Sequence, residues 1–207
     1  MSRKDFLNRW GRLDEQMRST FHTYWHAGVE SQHPVDPGMV DELSEYLASE
    51  RDKEKRNAAY FTIGKLGLRC RSVDCARILI GAIGREKDKY VLSSLLDRIA
   101  DIEKPREVDL RPIFPFLRDS RWLVRYAAIG AVGNSDSPEA EAEVIAHLTS
   151  TTDPNDIVCC NRTLGTIGTL SAIQHIEKNF ASSNRDVKAS AEHAVHAVMA
   201  RHGVRPT

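Results

Sequence analysis

The sequence predicts an all-α solenoid of about five antiparallel helix pairs behind an N-terminal cap helix. Two observations carry that prediction. Arg56-Asn57-Ala58-Ala59-Tyr60-Phe61-Thr62-Ile63-Gly64 nearly recurs as Arg125-Tyr126-Ala127-Ala128-Ile129-Gly130-Ala131-Val132-Gly133. The interval of 69 residues is two periods of about 35, the range of stacked helix pairs. Each copy is also preceded by a second amphipathic stretch, so each period holds two helices whose apolar sides need a neighbour.

The elements follow in order. Within residues 1–30, Phe6, Leu7, Trp10, Leu13, Met17, Phe21, Tyr24 and Trp25 recur at steps of three and four, as in one long amphipathic helix. It is expected to cap the first repeat, or else to meet a partner or a second copy. Residues 27–38, with Gly28, Pro34, Pro37 and Gly38, form the connector to a repeat domain over 37–202. First helices are predicted near 37–49, 72–83, 110–117, 138–148 and 170–180. Asp36-Pro37 and Ser137-Pro138-Glu139 supply starts for the first and fourth of these. Prolines 105, 112 and 115 shorten or kink the third. Second helices are anchored at Arg56, Leu92, Arg125, Cys160 and Lys188, at spacings of 36, 33, 35 and 28. Seven residues after each anchor stands an aliphatic residue: Ile63, Ile99, Val132, Ile167 or Val195. Gly64, Ala100, Gly133 and Gly168 follow the first four, small enough for close helix approach.

Composition excludes more than it selects. With 29 basic and 29 acidic residues the formal charge is zero, against a general polyanion binder but compatible with a local basic patch. No apolar run is long enough to cross a membrane, and the first residues carry no apolar stretch of signal-peptide length. The expected location is the cytoplasm. Cys70, Cys75, Cys159 and Cys160 stand in apolar helical contexts and read as packing residues rather than a disulfide framework or catalytic thiols.

The segment Asp119-Ser-Arg-Trp-Leu-Val-Arg125-Tyr-Ala-Ala-Ile-Gly-Ala-Val-Gly133 resembles the HEAT-repeat superfamily, in the style of the short bacterial PBS-lyase-like repeats. The resemblance implies a right-handed α-α superhelix. It also implies a ladder in which acids and arginines of neighbouring repeats pair; Asp119 and Arg125 fit those positions, and Glu50 with Arg56 is a same-spaced equivalent. Glu86 keeps the acid, but Leu92 stands where its arginine would be. Family members include adaptors, chromophore lyases, a metal-dependent hydroxylase and DNA glycosylases, so the resemblance leaves activity open. The repeated His-Glu pairs of the hydroxylase branch are missing: Glu192-His193 is reversed and isolated.

The predicted binding strip lies on the second helices. Trp122, Tyr126 and Ile129 share a stripe on the third, flanked by Arg118, Arg121 and Arg125, with Asn57 and Tyr60 as first-repeat equivalents. Trp, Tyr and Arg concentrate binding energy when desolvated. The alternative is a Trp122 folded over the seam between repeats, with solvated arginines. His22 and His26 share a helix face at i, i+4, as His193 and His196 do at i, i+3, but two ligands do not make a metal site. No glycine-rich phosphate loop is present: Gly64-x-x-Gly67 ends a helix. No catalytic residue, metal or cofactor is assigned. The leading function is a non-catalytic protein-binding module: an adaptor, a regulator or an inhibitor of the immunity-protein type. A lyase-like or other small-molecule enzyme and a nucleic-acid-binding protein remain the alternatives, the latter disfavoured by the neutral charge. The expected partner is another protein.

Overall fold

The computed structural model describes residues 38–204, and every regular element within them is helical. The chain divides into two compact units, residues 1–48 and 49–207. In the first, α1 (Gly38–Ser49) buries Leu43 and Leu47, four apart on one face. The cap helix expected over residues 1–30, with His22 and His26, and the connector up to Pro37 lie outside the described residues.

The second unit runs through α2 (Lys53–Cys70), α3 (Val73–Ala82), α4 (Lys89–Ala100), α5 (Trp122–Ala131), α6 (Pro138–Ser150), α7 (Pro154–Ile167), α8 (Ile173–Ile176) and α9 (Arg185–Arg201). Short 3-10 turns cover Ile83–Arg85, Phe114–Arg118, Leu170–Ala172 and Glu177–Asn179. Among the described residues there is no strand, only a parallel bridge between Lys104 and Ser135. Helices α2, α4, α5, α7 and α9 pack in that order, each on the next. The flanking elements lie against them: α3 on α2 and α4, the 114–118 turn on α5, α6 on α7, and α8 on α9. The paired-helix arrangement read from the sequence is therefore present. Prolines explain the weakest first helix, which is reduced to the 3-10 turn Phe114–Arg118 with Pro115 near its start.

Helix starts set the register. The N-caps of the packed series are Asp52, Asp88, Arg121, Asp153 and Asn184, at spacings of 36, 33, 32 and 31. Asp52, Asp88 and Asn184 each accept two backbone N–H groups of the first turn, and Asp153 accepts that of Asn155. The residue two before the N-cap braces the turn by accepting the N-cap N–H: Glu50, Asp119, Thr151 and Ser182 do so. This corrects the sequence alignment in one repeat. Counting four residues from each N-cap, the fourth anchor is Ile157, not Cys160, and the irregular spacings of 35 and 28 become 32 and 31.

The corrected register explains the adjacent cysteines. Cys159-Cys160 occupies the place of Ala58-Ala59, Ser94-Leu95, Ala127-Ala128 and Ser190-Ala191, and in each pair the second residue is buried. The aliphatic position becomes Ile63, Ile99, Val132, Leu164 and Val195, all buried. The small residue after it becomes Gly64, Ala100, Gly133 and Gly165. A Cβ on Gly64 would meet the Arg98 Cβ at 2.7 Å, and one on Gly165 would touch the Ala194 backbone at 3.4 Å. At Gly64 the seam admits no side chain without a shift of Arg98, whereas at Gly165 the helices are in ordinary contact.

Candidate functional site

Two arginines, each four residues past an N-cap, tie one helix pair to the next. The Arg56 Nη1 donates to the carbonyl of Arg51, 2.6 Å, in the turn before its own helix. Its Nε and Nη2 donate to both Glu86 oxygens, at 2.6 and 2.9 Å. Tyr60 Oη donates to the same carboxylate at 2.6 Å. The Glu86 side chain has no solvent exposure and Arg56 has 14%. Burial pushes the Glu86 carboxyl up, but the hydrogen bonds from Arg56 and Tyr60 outweigh it and hold it below its ordinary value.

The second node repeats this wiring with other partners. Arg125 Nη1 donates to the Asp119 carbonyl at 2.8 Å, and its Nε donates to Asp156 Oδ1 at 2.8 Å. Nη2 reaches Asp153 Oδ2 at 3.2 Å. Buried Asp156 also accepts from His147 Nε2 at 3.1 Å and Thr151 Oγ1 at 3.0 Å. Arg56 and Arg125 touch Glu50 and Asp119 at their backbone carbonyls and reach forward with their other donors to Glu86 and Asp156. Leu92 sends nothing to Asp119, and Arg121 fills that role with two bonds at 2.9 and 2.7 Å, while its Nη1 reaches the Lys87 carbonyl at 3.3 Å.

The proposed strip separates into buried and exposed parts. Tyr60 and Ile129 are fully buried, so neither belongs to a surface. Their place, eight residues past the N-cap, faces the seam, and Leu96 and Asn161 there are fully buried too. Asn57 is half-buried, with its Oδ1 lacking a hydrogen-bond partner among the described residues. Arg118 is drawn away to Glu143 at 2.9 Å. Arg121 is engaged by Asp119 and is a bracing residue as much as a contact candidate.

Trp122 and Tyr126 remain outside. Trp122 is 59% exposed, and its ring lies 5.5 Å from that of Tyr126 at 53°. Tyr126 is held from two sides: Oη donates to Asp153 at 3.2 Å, and the Arg125 guanidinium sits 5.4 Å from the ring centroid. The node that locks α5 to α7 therefore also fixes the aromatic pair. Gly130 continues the stripe one turn below Tyr126, with nothing within 4 Å of a Cβ added to it.

Cys70 is exposed, while Cys75 and Cys160 are buried. Burial raises the thiols of Cys75, Cys159 and Cys160, and none is in a disulfide. His193 and His196 are exposed. Among the described residues no three His, Cys, Asp or Glu side chains are grouped to hold a metal ion, and no helix is long and apolar enough to cross a membrane.

Sequence reasoning missed Asp153, Asp156, Thr151 and His147. The available signal was the Asp153-Pro154 helix start, which places Asp156 in the first turn of α7. Anchoring the repeat at Cys160 hid it.

No curated protein matches the chain. Residues 110–196 match the family of HEAT repeats, across α5, α6, α7, α8 and most of α9. That match over residues 110–196 is consistent with a protein of the HEAT-repeat superfamily.

Proposed function

We propose that this chain is a non-catalytic protein-interaction module that docks its partner on the exposed stripe of α5. The observation that carries the reading is the exposed Trp122 ring, preset against a Tyr126 that Asp153 and Arg125 hold in place. A rigid aromatic pair loses little freedom on binding, and such pairs with neighbouring arginines are frequent centres of binding energy. The acidic groups among the arginines favour a protein over a phosphate backbone: Arg56, Arg118, Arg121 and Arg125 are all matched by carboxylates rather than forming a positive stripe.

The wider reading is a right-handed superhelix of about five helix pairs spanning 37–202, capped by residues 1–30, working in the cytoplasm as an adaptor, a regulator or an immunity-type inhibitor. The test is affinity capture from native lysate with wild type and Trp122→Ala, followed by titration of the purified captured protein. Capture that depends on Trp122, with at least about tenfold weaker binding by the variant, is the expected result. Equal capture by both chains would move the docking surface elsewhere.

A further inference from the structure

Below the aromatic pair, the same stripe carries two charges without partners. Asp97 on α4 and Arg162 on α7 stand on the helices either side of α5, and both are exposed. Neither makes a hydrogen bond or ion pair among the described residues. The two are close enough to feel each other's charge, yet form no bridge. Between them the stripe is bare, because Gly130 puts no side chain there and a Cβ would meet nothing within 4 Å. An acid on one neighbouring helix and a base on the other thus stand beside an open stretch of α5, which continues to Tyr126 and Trp122 at steps of four residues. Desolvation on this ridge already raises the Asp97 carboxyl, an unfavourable setting that an incoming cation would relieve.

We infer that the open face of α5 at Gly130 takes an extended protein segment of mixed charge, whose basic residue pairs with Asp97 and whose acidic residue pairs with Arg162. This rests on the reading of α5 as the docking stripe and adds the chemistry of what docks there. Charge complementarity fixes the direction of the segment: it runs across α5 with its base toward α4 and its acid toward α7. A nucleic acid fits poorly, since Asp97 and Asp101 face the same ridge. Opposed charges at the two rims set orientation and partner choice more than total affinity.

The test uses a phage-displayed random peptide library selected on the full chain, on the Asp97→Arg/Arg162→Glu double variant and on Gly130→Phe. Wild type should enrich peptides carrying one basic and one acidic residue at a fixed separation, and the double variant should enrich the same pair in reversed order. Gly130→Phe places a ring in open space on a helix, so it should leave thermal unfolding unchanged while weakening wild-type peptides about tenfold. Peptides with no fixed charge pair, the same order on both chains, or undiminished binding to Gly130→Phe would overturn the inference, as would enrichment of a labelled oligonucleotide in place of peptides. The captured protein separates this from the docking reading. If Trp122→Ala abolishes its capture while the charge swap leaves it intact, the stripe stands and the role of Asp97 and Arg162 falls. If neither variant changes it, both fall.

Discussion

The Arg56 and Arg125 nodes are built from one device and end differently. In both, a guanidinium four residues past an N-cap donates back to its own turn and forward to an acid of the next unit. At Arg56 the associated aromatic, Tyr60, points inward and gives its hydroxyl to the buried Glu86. At Arg125 the aromatics point outward, and Asp153 divides its oxygen between Arg125 and Tyr126. The first node is a closed clip. The second is a clip with a platform attached, so the same ladder contact that holds the stack can also present a rigid surface.

The largest effect should come from opening the clips. Arg56→Met leaves the fully buried Glu86 carboxylate with Tyr60 alone, and breaking such a pair costs about 3–5 kcal/mol. That corresponds to a melting temperature lower by roughly 10 °C in a chain of this size. Arg125→Met should cost less, about 2 kcal/mol, because Asp156 keeps His147 and Thr151 as donors. Thermal unfolding of the two variants side by side checks the order; a larger loss at Arg125 would contradict the comparison.

A pH dependence should arise from the joint between the nodes. Lys104 is 1% exposed, with its Nζ donating to the carbonyls of Ile99 and Ile102 at 2.8 and 2.5 Å. Burial pulls its amine down to about 7. The unfolded chain therefore holds the proton more firmly between pH 7 and about 10.4, so stability should rise with pH across that window and level off below it. Two carbonyls satisfy the two N–H groups of the neutral amine, which is why the neutral form suits the site. Denaturant midpoints at pH 7 and 9 should differ for wild type, and Lys104→Met should flatten the slope.

Arg121 gives a smaller effect that separates bracing from binding. Arg121→Glu sets a carboxylate against Asp119 and removes three hydrogen bonds, and should lower stability by about 1–2 kcal/mol. An unchanged midpoint would return Arg121 to the role of a pure contact residue.

How much of this was legible follows from where the signals lie. The helices and their pairing could be read because small pairs, aliphatic positions and N-cap aspartates are local patterns. The ladder arginines could be read by resemblance. Glu86 could be read as a ladder acid in the same way, but Asp156 could not, since it lies 31 residues from Arg125 and three residues of register decide which acid is in reach. Tyr60 and Ile129 were misplaced because a helical wheel gives angles, and only the packing of α2 on α4 and of α5 on its neighbours says which angle is the seam. Asp97, Gly130 and Arg162 left no sequence signal: they meet across three helices, and each is unremarkable alone.

The most direct measurement is the affinity of Trp122→Ala for the captured partner protein, taken with the variant's unfolding curve. Trp122 is an exposed residue at the start of α5, so its removal should change stability by no more than about 0.5 kcal/mol. The account predicts binding at least about tenfold weaker at an essentially unchanged melting temperature. Wild-type affinity in a folded Trp122→Ala chain would contradict it.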